Sequence, residues 1–198
     1  MTHLFASWLI AAKTTDNLRD CRLIALSGVL PDLDGAGLVV DLARQAVKGG
    51  DDFLFYQRYH HFLLHGVFGA AVIGAALSCF ARRRWRVAAL SFLMVHLHFF
   101  CDFVGSRGPS PEDLWPILYL APFSREWVWI WKGQWALDAW PNRMLAVFLF
   151  AWCLRLAAKR GDSFVGVFNR QVDHVFVAVL RGWWDKWTDD SKSARPRR

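Results

Sequence analysis

Three apolar runs punctuate the chain, with arginines and histidines at their ends. Residues 62–80 (FLLHGVFGAAVIGAALSCF) run nineteen positions without a formal charge, and a helix of that length reaches across the roughly 30 Å hydrocarbon layer of a bilayer. Small residues recur along it (Gly66, Gly69, Ala70, Gly74, Ala75), as close helix packing in lipid prefers. ARRRWR, residues 81–86, follows with four arginines, and a second apolar run covers 87–101 and ends at Asp102. These two runs predict an antiparallel helical hairpin whose basic turn faces the cytoplasm. A third run, 144–154, is followed by Arg155, Lys159 and Arg160 and predicts a span parallel to the first.

Shorter patterns fill the remainder. Residues 3–12 and 18–30 predict two short helices separated by the polar stretch KTTDN, and Pro31 ends the second. Neither is long enough to span, so they pack on the bundle or lie at the interface. Residues 105–142 form a loop region rich in Pro, Gly and Trp. Its Trp115, Trp127, Trp129, Trp131, Trp135 and Trp140 suit the membrane–water boundary, where indole rings accumulate. Over 164–187, apolar Phe168, Val172, Val175, Phe176, Val179, Trp183 and Trp187 recur at helical spacing opposite Asn169, Arg170, Asp173 and Arg181, the pattern of an amphipathic helix lying on a membrane. The expected fold is therefore an all-α, membrane-associated helical bundle with two or three spanning helices and short interfacial ones. The expected organisation is a membrane-embedded domain over 1–160, an amphipathic helix over 161–188 and a disordered basic tail over 189–198.

Composition narrows the class further. Of 198 residues 55% are hydrophobic, 12 are Trp and 16 Phe, which excludes a disordered chain. The formal net charge of +7 suits acidic lipid headgroups as well as nucleic acid. The arginines fall where topology already accounts for them and no recognition motif accompanies them, so no nucleic acid is expected. Cys21, Cys79, Cys101 and Cys153 form no C-x-x-C pair, which argues against a zinc knuckle or a disulfide framework. The N-terminus lacks the basic region and cleavage site of a secretory signal and is expected to be retained.

Six of the seven histidines fall within the first 98 residues: His3, His60, His61, His65, His96 and His98. Ionisable groups in or beside apolar helices are costly and tend to be functional. His98 and Asp102 are spaced i, i+4, which puts an imidazole and a carboxylate on one helix face. Pro31-Asp32-Leu33-Asp34 sets two carboxylates two residues apart, so an extended segment aims both the same way, as sites for divalent cations use. In Tyr59-His60-His61-Phe62-Leu63-Leu64-His65, His61 and His65 share a face if a helix begins by residue 61, whereas His60 converges on His65 only from a preceding loop. His96 points to a different neighbour from His98, and His174 is solvated or interfacial. An antiparallel hairpin brings His60/His65 and His98/Asp102 to one membrane face, opposite the basic turn.

The order H…P-D-x-D…H-x₄-H…H-x₃-D…L-W-P, over roughly residues 1–120, resembles the membrane-bound metal-dependent hydrolase family described as YdjM-like, LexA-regulated inner-membrane hydrolases. Thr2-His3, Leu30 to Asp34, His60 to Gly66, His98 with Asp102, and Leu114 to Pro116 carry the likeness. The chain departs from the family pattern around His60–Gly66, where His61-Phe62 replaces R-G and Leu64-His65-Gly66 replaces T-H-S. The resemblance selects His60 over His61, although His61 remains an alternative ligand. It is similar in motif order to zinc-dependent phospholipase C and P1-type nucleases, which implies phosphoester hydrolysis by analogy.

The resemblance implies a metal-dependent hydrolase of the inner membrane, and the arginine asymmetry of the apolar runs puts its site on the non-cytoplasmic face. His3, Asp32, Asp34, His60, His65, His98 and Asp102 would hold one or more divalent ions, Zn²⁺ or Mn²⁺, and Asp34 would bridge metals or act as the catalytic base. The expected partners are membrane lipids and a lipid-linked phosphoester substrate. Two other readings compete. One is a non-catalytic adaptor that binds lipid through its basic turn and amphipathic helix. The other is a haem protein with His65 and His98 as axial ligands, which leaves the carboxylates without a purpose.

Overall fold

In a computed structural model, which describes residues 1–50, 53–59 and 62–193, five helices alternate in direction around one core. These are α1 (Thr2–Thr14), α2 (Leu18–Ser27), α5 (Val67–Cys79), α6 (Arg84–Gly105) and α7 (Trp140–Arg160). A 3₁₀ turn (Leu30–Ala36), α3 (Gly37–Lys48) and α4 (Leu54–Tyr59) intervene between α2 and α5. A second 3₁₀ turn (Phe164–Val167) leads into α8 (Arg170–Ser193). Two antiparallel two-residue strands, β1 (Ile117–Leu118) and β2 (Val128–Trp129), pin the loop between α6 and α7. The fold is all-α. Residues 194–198 of the basic tail lie outside the described residues.

The core is built from the inward faces of these helices, with Trp8, Ile24, Val87, Val95 and Phe99 among its buried side chains. Two levels along the bundle are defined by polar contacts. At one end the α5–α6 turn is bound by Asp20 of α2, whose buried carboxylate accepts hydrogen bonds from Arg82 N (2.7 Å) and Arg83 N (3.1 Å). Arg86 donates to Thr14 O at the same level. His3, His65 and His98 gather at the other end. Replacing Asp20 by Ala removes the acceptor for both amides. An expected loss of about 1–3 kcal/mol follows from stranding polar groups in this way, read as a lowered midpoint in thermal or denaturant unfolding; an unchanged midpoint would show the turn is held otherwise.

The span lengths differ from the sequence expectation. The first apolar run becomes only the 13 residues of α5, about 20 Å long. The reason is local: Asp34 accepts hydrogen bonds from Leu63 N and Leu64 N, and Tyr119 O takes the amide of Val67, so residues 62–66 fold as turns. The other two runs lengthen to 22 and 21 residues by carrying their flanking charges into the helix, and among the described residues α6 and α7 are the two helices long and apolar enough to cross a membrane. A third candidate is α2 with the segment Leu30–Lys48, bent by 47°.

α3 and α4 have no counterpart in the sequence reading, and α3 is inside-out. Asp41 is fully buried and caps α4 by accepting from Phe55 N (3.1 Å) and Tyr56 N (2.8 Å). Leu38, Val39, Val40, Leu42 and Val47 face outward. The amphipathic C-terminal helix, α8, behaves likewise. It begins at Arg170 rather than 164, because Asn169 Oδ1 accepts from Gln171 N and Val172 N. Asp173 is buried against Ser163, Arg181 donates to Ala158 O, and Val172, Val175, Val179 and Trp183 are exposed. Polar faces turned inward and apolar faces turned outward need an apolar medium around the molecule.

Candidate metal centre

Four segments meet at the end of the bundle away from the arginines. α1 contributes His3 from its first turn, the 3₁₀ turn after α2 contributes Asp32 and Asp34, the turn before α5 contributes His65, and the last two turns of α6 contribute His98 and Asp102. The close approach of α1 to α2 depends on Gly28, where a Cβ would overlap Ser7 Oγ. Pro31 starts the 3₁₀ turn and is itself buried, which bends the chain so that Asp32 and Asp34 project to different depths.

Nε2 of His65 and Nε2 of His98 lie 3.2 Å apart. Asp102 Oδ2 lies 3.1 Å from His98 Nε2 and 3.5 Å from His65 Nε2, and Asp102 Oδ1 is 3.5 Å from His3 Nε2. Asp32 Oδ1 sits 3.5 Å from His98 Nε2 at the exposed lip of the cluster. His65, His98 and Asp102 are buried. Two overlapping triads can hold a metal ion, His3/His98/Asp102 and Asp32/His65/His98, each with its donor atoms within 4.8 Å of one another. Donors about 2.0–2.2 Å from one metal ion such as zinc stand roughly 3–3.6 Å apart, so the 3.1–3.5 Å separations of these atoms fit a shared divalent cation.

The residues behind the donors are equally specific. His65 Nδ1 is 3.2 Å from Asp34 Oδ2, the oxygen that accepts from Leu63 N (3.0 Å) and Leu64 N (2.7 Å). His98 Nδ1 donates to Gly28 O at 2.9 Å. Both imidazoles thus have their Nδ1 tied back and their Nε2 turned to the common point, as metal-ligating histidines do. Ser106 Oγ donates to Asp102 Oδ1 at 3.0 Å. The His3 ring stacks on that of His98, with centroids 3.9 Å apart. Burial, reinforced by His98, pushes the His3 imidazole down to about 3, so it is neutral at physiological pH and its lone pair is available.

His60 and His61 lie outside the described residues. His96 bonds Phe92 O and Tyr119 Oη away from the cluster, and His174 is exposed on α8. Gly28, Ser106 and the amides of Leu63 and Leu64 carried no signal in the sequence, since a backbone carbonyl or amide can be supplied by any residue type. Tyr56 is a further neighbour that spacing did not reveal; burial and the nearby Asp32 push its phenol up.

An all-α membrane protein with a buried His/Asp cluster that can hold a divalent cation is the class defined by this fold and site. Within that class the chain belongs to the YdjM inner membrane protein family, whose family model matches residues 2–172. It is thus an inner-membrane protein. No curated protein and no solved structure matched the chain.

Proposed function

We propose that the protein is a metal-dependent hydrolase at the membrane surface that binds one divalent ion, Zn²⁺ or Mn²⁺, and cleaves a phosphoester or lipid-linked substrate. The observation that carries this reading is the convergence of His65 Nε2, His98 Nε2 and Asp102 Oδ2 at 3.1–3.5 Å, with both imidazoles oriented from behind. His98 Nε2 belongs to both triads, and one imidazole lone pair serves one ion, so His3, Asp32, His65, His98 and Asp102 form a single centre. A divalent cation also offsets the cost of placing three carboxylates together beside apolar helices.

A bound divalent ion would lower the pKa of a water toward neutrality and so supply a nucleophile at neutral pH. Asp32, exposed at the lip, is placed to exchange protons with solvent. Asp34 acts here as a positioning residue, because its Oδ2 is occupied by two amides and His65 Nδ1. A bis-histidine haem fits less well: His65 and His98 would need to face each other across a porphyrin, yet their Nε2 atoms are 3.2 Å apart with Asp102 beside both. The test is turnover of chromogenic phosphoesters and phospholipids by zinc- or manganese-loaded protein. Activity that disappears with a chelator and returns with the ion supports the reading; inactivity of fully loaded protein on every ester overturns it.

The site is proposed to face away from the cytoplasm, since Arg82–Arg86 and the Arg155–Arg160 end of α7 lie at the opposite end of the bundle. From Arg86 to Asp102, α6 rises about 24 Å, which sets the cluster just inside the far headgroups. A Lys132→Cys variant, exposed in the loop at the site end, is expected to react with a membrane-impermeant maleimide in intact cells stripped of their outer membrane. Labelling only after the inner membrane is broken reverses the orientation.

A further inference from the structure

A cleft of about 370 Å³ runs from the cluster to the molecular surface between the start of α1, the end of α6 and the start of α7. We propose that this cleft holds the apolar chain of a membrane lipid and presents the lipid's ester group to the His3–Asp102 edge of the metal centre. The ester chemistry rests on the hydrolase reading; the chain site does not.

The lining divides by chemistry. His3 and Asp102 belong to the cleft and to the cluster alike, Phe100, Val104, Leu145 and Ala146 supply an apolar wall, and Arg143 adds a cation. An apolar groove with a few convergent polar groups is the usual form of a small-molecule site. The groove lies between the ends of α6 and α7, which among the described residues are the two helices long and apolar enough to cross a membrane, where a membrane lipid can reach it. Its apolar surface continues outward through exposed Phe100, Met144 and Phe148.

The walls are held apart by a fixed frame. Asn142 Nδ2 donates to Gly105 O (2.7 Å), and Trp135 Nε1 donates to Asn142 Oδ1 (2.8 Å), tying the first turn of α7 to the last of α6. A Cβ on Gly105 would collide with both Trp135 and Asn142. Below this tie α7 packs on α1, where Cys153 meets Phe5 O, which leaves the gap beside α6 open.

Two polar groups on the lining have capacity for a ligand. His3 Nδ1 is buried and has no hydrogen-bond partner among the described residues. His3 Nε2 faces Asp102 Oδ1 at 3.5 Å, so Nδ1 is the ring nitrogen left to meet a polar group of a ligand. Arg143 is exposed and, among the described residues, meets a loose, solvent-facing Asp138 at 3.9 Å, so its guanidinium can take an anionic headgroup.

The test compares binding of dodecylphosphonate and butylphosphonate by calorimetry to protein held in amphipol, zinc-loaded and metal-stripped, for wild type, Ala146→Trp and Val147→Trp. Wild type and the outward-facing Val147→Trp are expected to bind the long chain at least about tenfold more tightly, the equivalent of about 1.4 kcal/mol. Ala146→Trp fills the cleft and is expected to lose that chain-length gain while keeping its zinc content. If Ala146→Trp does not fold, Val104→Trp fills the same cleft from α6. A gain that survives filling, or no gain in wild type, overturns the proposal. A gain that is identical with and without zinc, in protein that turns over no ester, supports the chain site while removing the hydrolase reading.

Discussion

Protein purified in detergent is expected to contain about one divalent ion per chain by elemental mass spectrometry, and the His65→Ala/Asp102→Ala variant to contain none. The two substitutions remove the donors that lie closest to His98 Nε2, at 3.2 and 3.1 Å. Loss of a residue that only orients a ligand typically costs 10–100-fold in metal affinity, and loss of two donors from five goes well beyond that. His3, Asp32 and His98 remain in the variant, but Asp32 is exposed at the lip, and His3 reaches the centre beside the oxygen that has been deleted.

Loading should also be visible as stability. An ion that binds only the folded chain raises unfolding free energy by about 2.7 kcal/mol at a hundredfold excess over its dissociation constant, so wild type is expected to melt higher with zinc or manganese and the double variant not to respond. The helical spectrum of the variant should match wild type, because both side chains project into the cluster and the apolar core of Trp8, Ile24, Val95 and Phe99 is left unaltered. Folded wild-type protein that takes up no ion after reconstitution would remove the metal centre and leave the adaptor reading, with its basic turn and outward apolar helices, in front.

The bundle was legible where hydrophobic runs end on charges. Arg82–Arg86 marks one end of α6 and Asp102 lies near the other, and the antiparallel hairpin that brings His65 to His98 follows from that alternation. Helix lengths were less legible, because a carboxylate thirty residues upstream, Asp34, decides that residues 62–66 do not join α5. α3 escaped for a related reason: its pattern gives an apolar face, but the partners of its buried Asp41 are the amides of Phe55 and Tyr56 at the start of α4, a tertiary contact. Within the cluster, Asp32, Asp34, His65, His98 and Asp102 stood out by spacing, whereas His3 entered only through the family resemblance. Which of them face the common point, and which stand behind, depends on rotamers and on backbone partners such as Gly28 O. The Asp32/Asp34 pair shows the limit most clearly, since an extended P-D-L-D would aim both carboxylates alike and the 3₁₀ turn separates them.

Asp34→Asn is expected to weaken metal binding about 10–100-fold without abolishing it, measured by competition with a chromophoric chelator. The amide oxygen can still accept from Leu63 N and Leu64 N, so the turn before α5 keeps its shape. What is lost is the negative charge against His65 Nδ1, 3.2 Å away, which holds the proton on Nδ1 and makes Nε2 the more basic nitrogen. A general base at Asp34 makes the opposite prediction, namely unchanged metal affinity with lost turnover. Asp34→Ala separates position from charge further, because it strands two buried amides as well. Its unfolding midpoint should fall below that of Asp34→Asn, by about 1–3 kcal/mol in stability for each amide left without an acceptor. Equal metal affinity in wild type and Asp34→Asn would return the carboxylate to the catalytic role, and the orientation of His65 would then have to come from the amide turn alone.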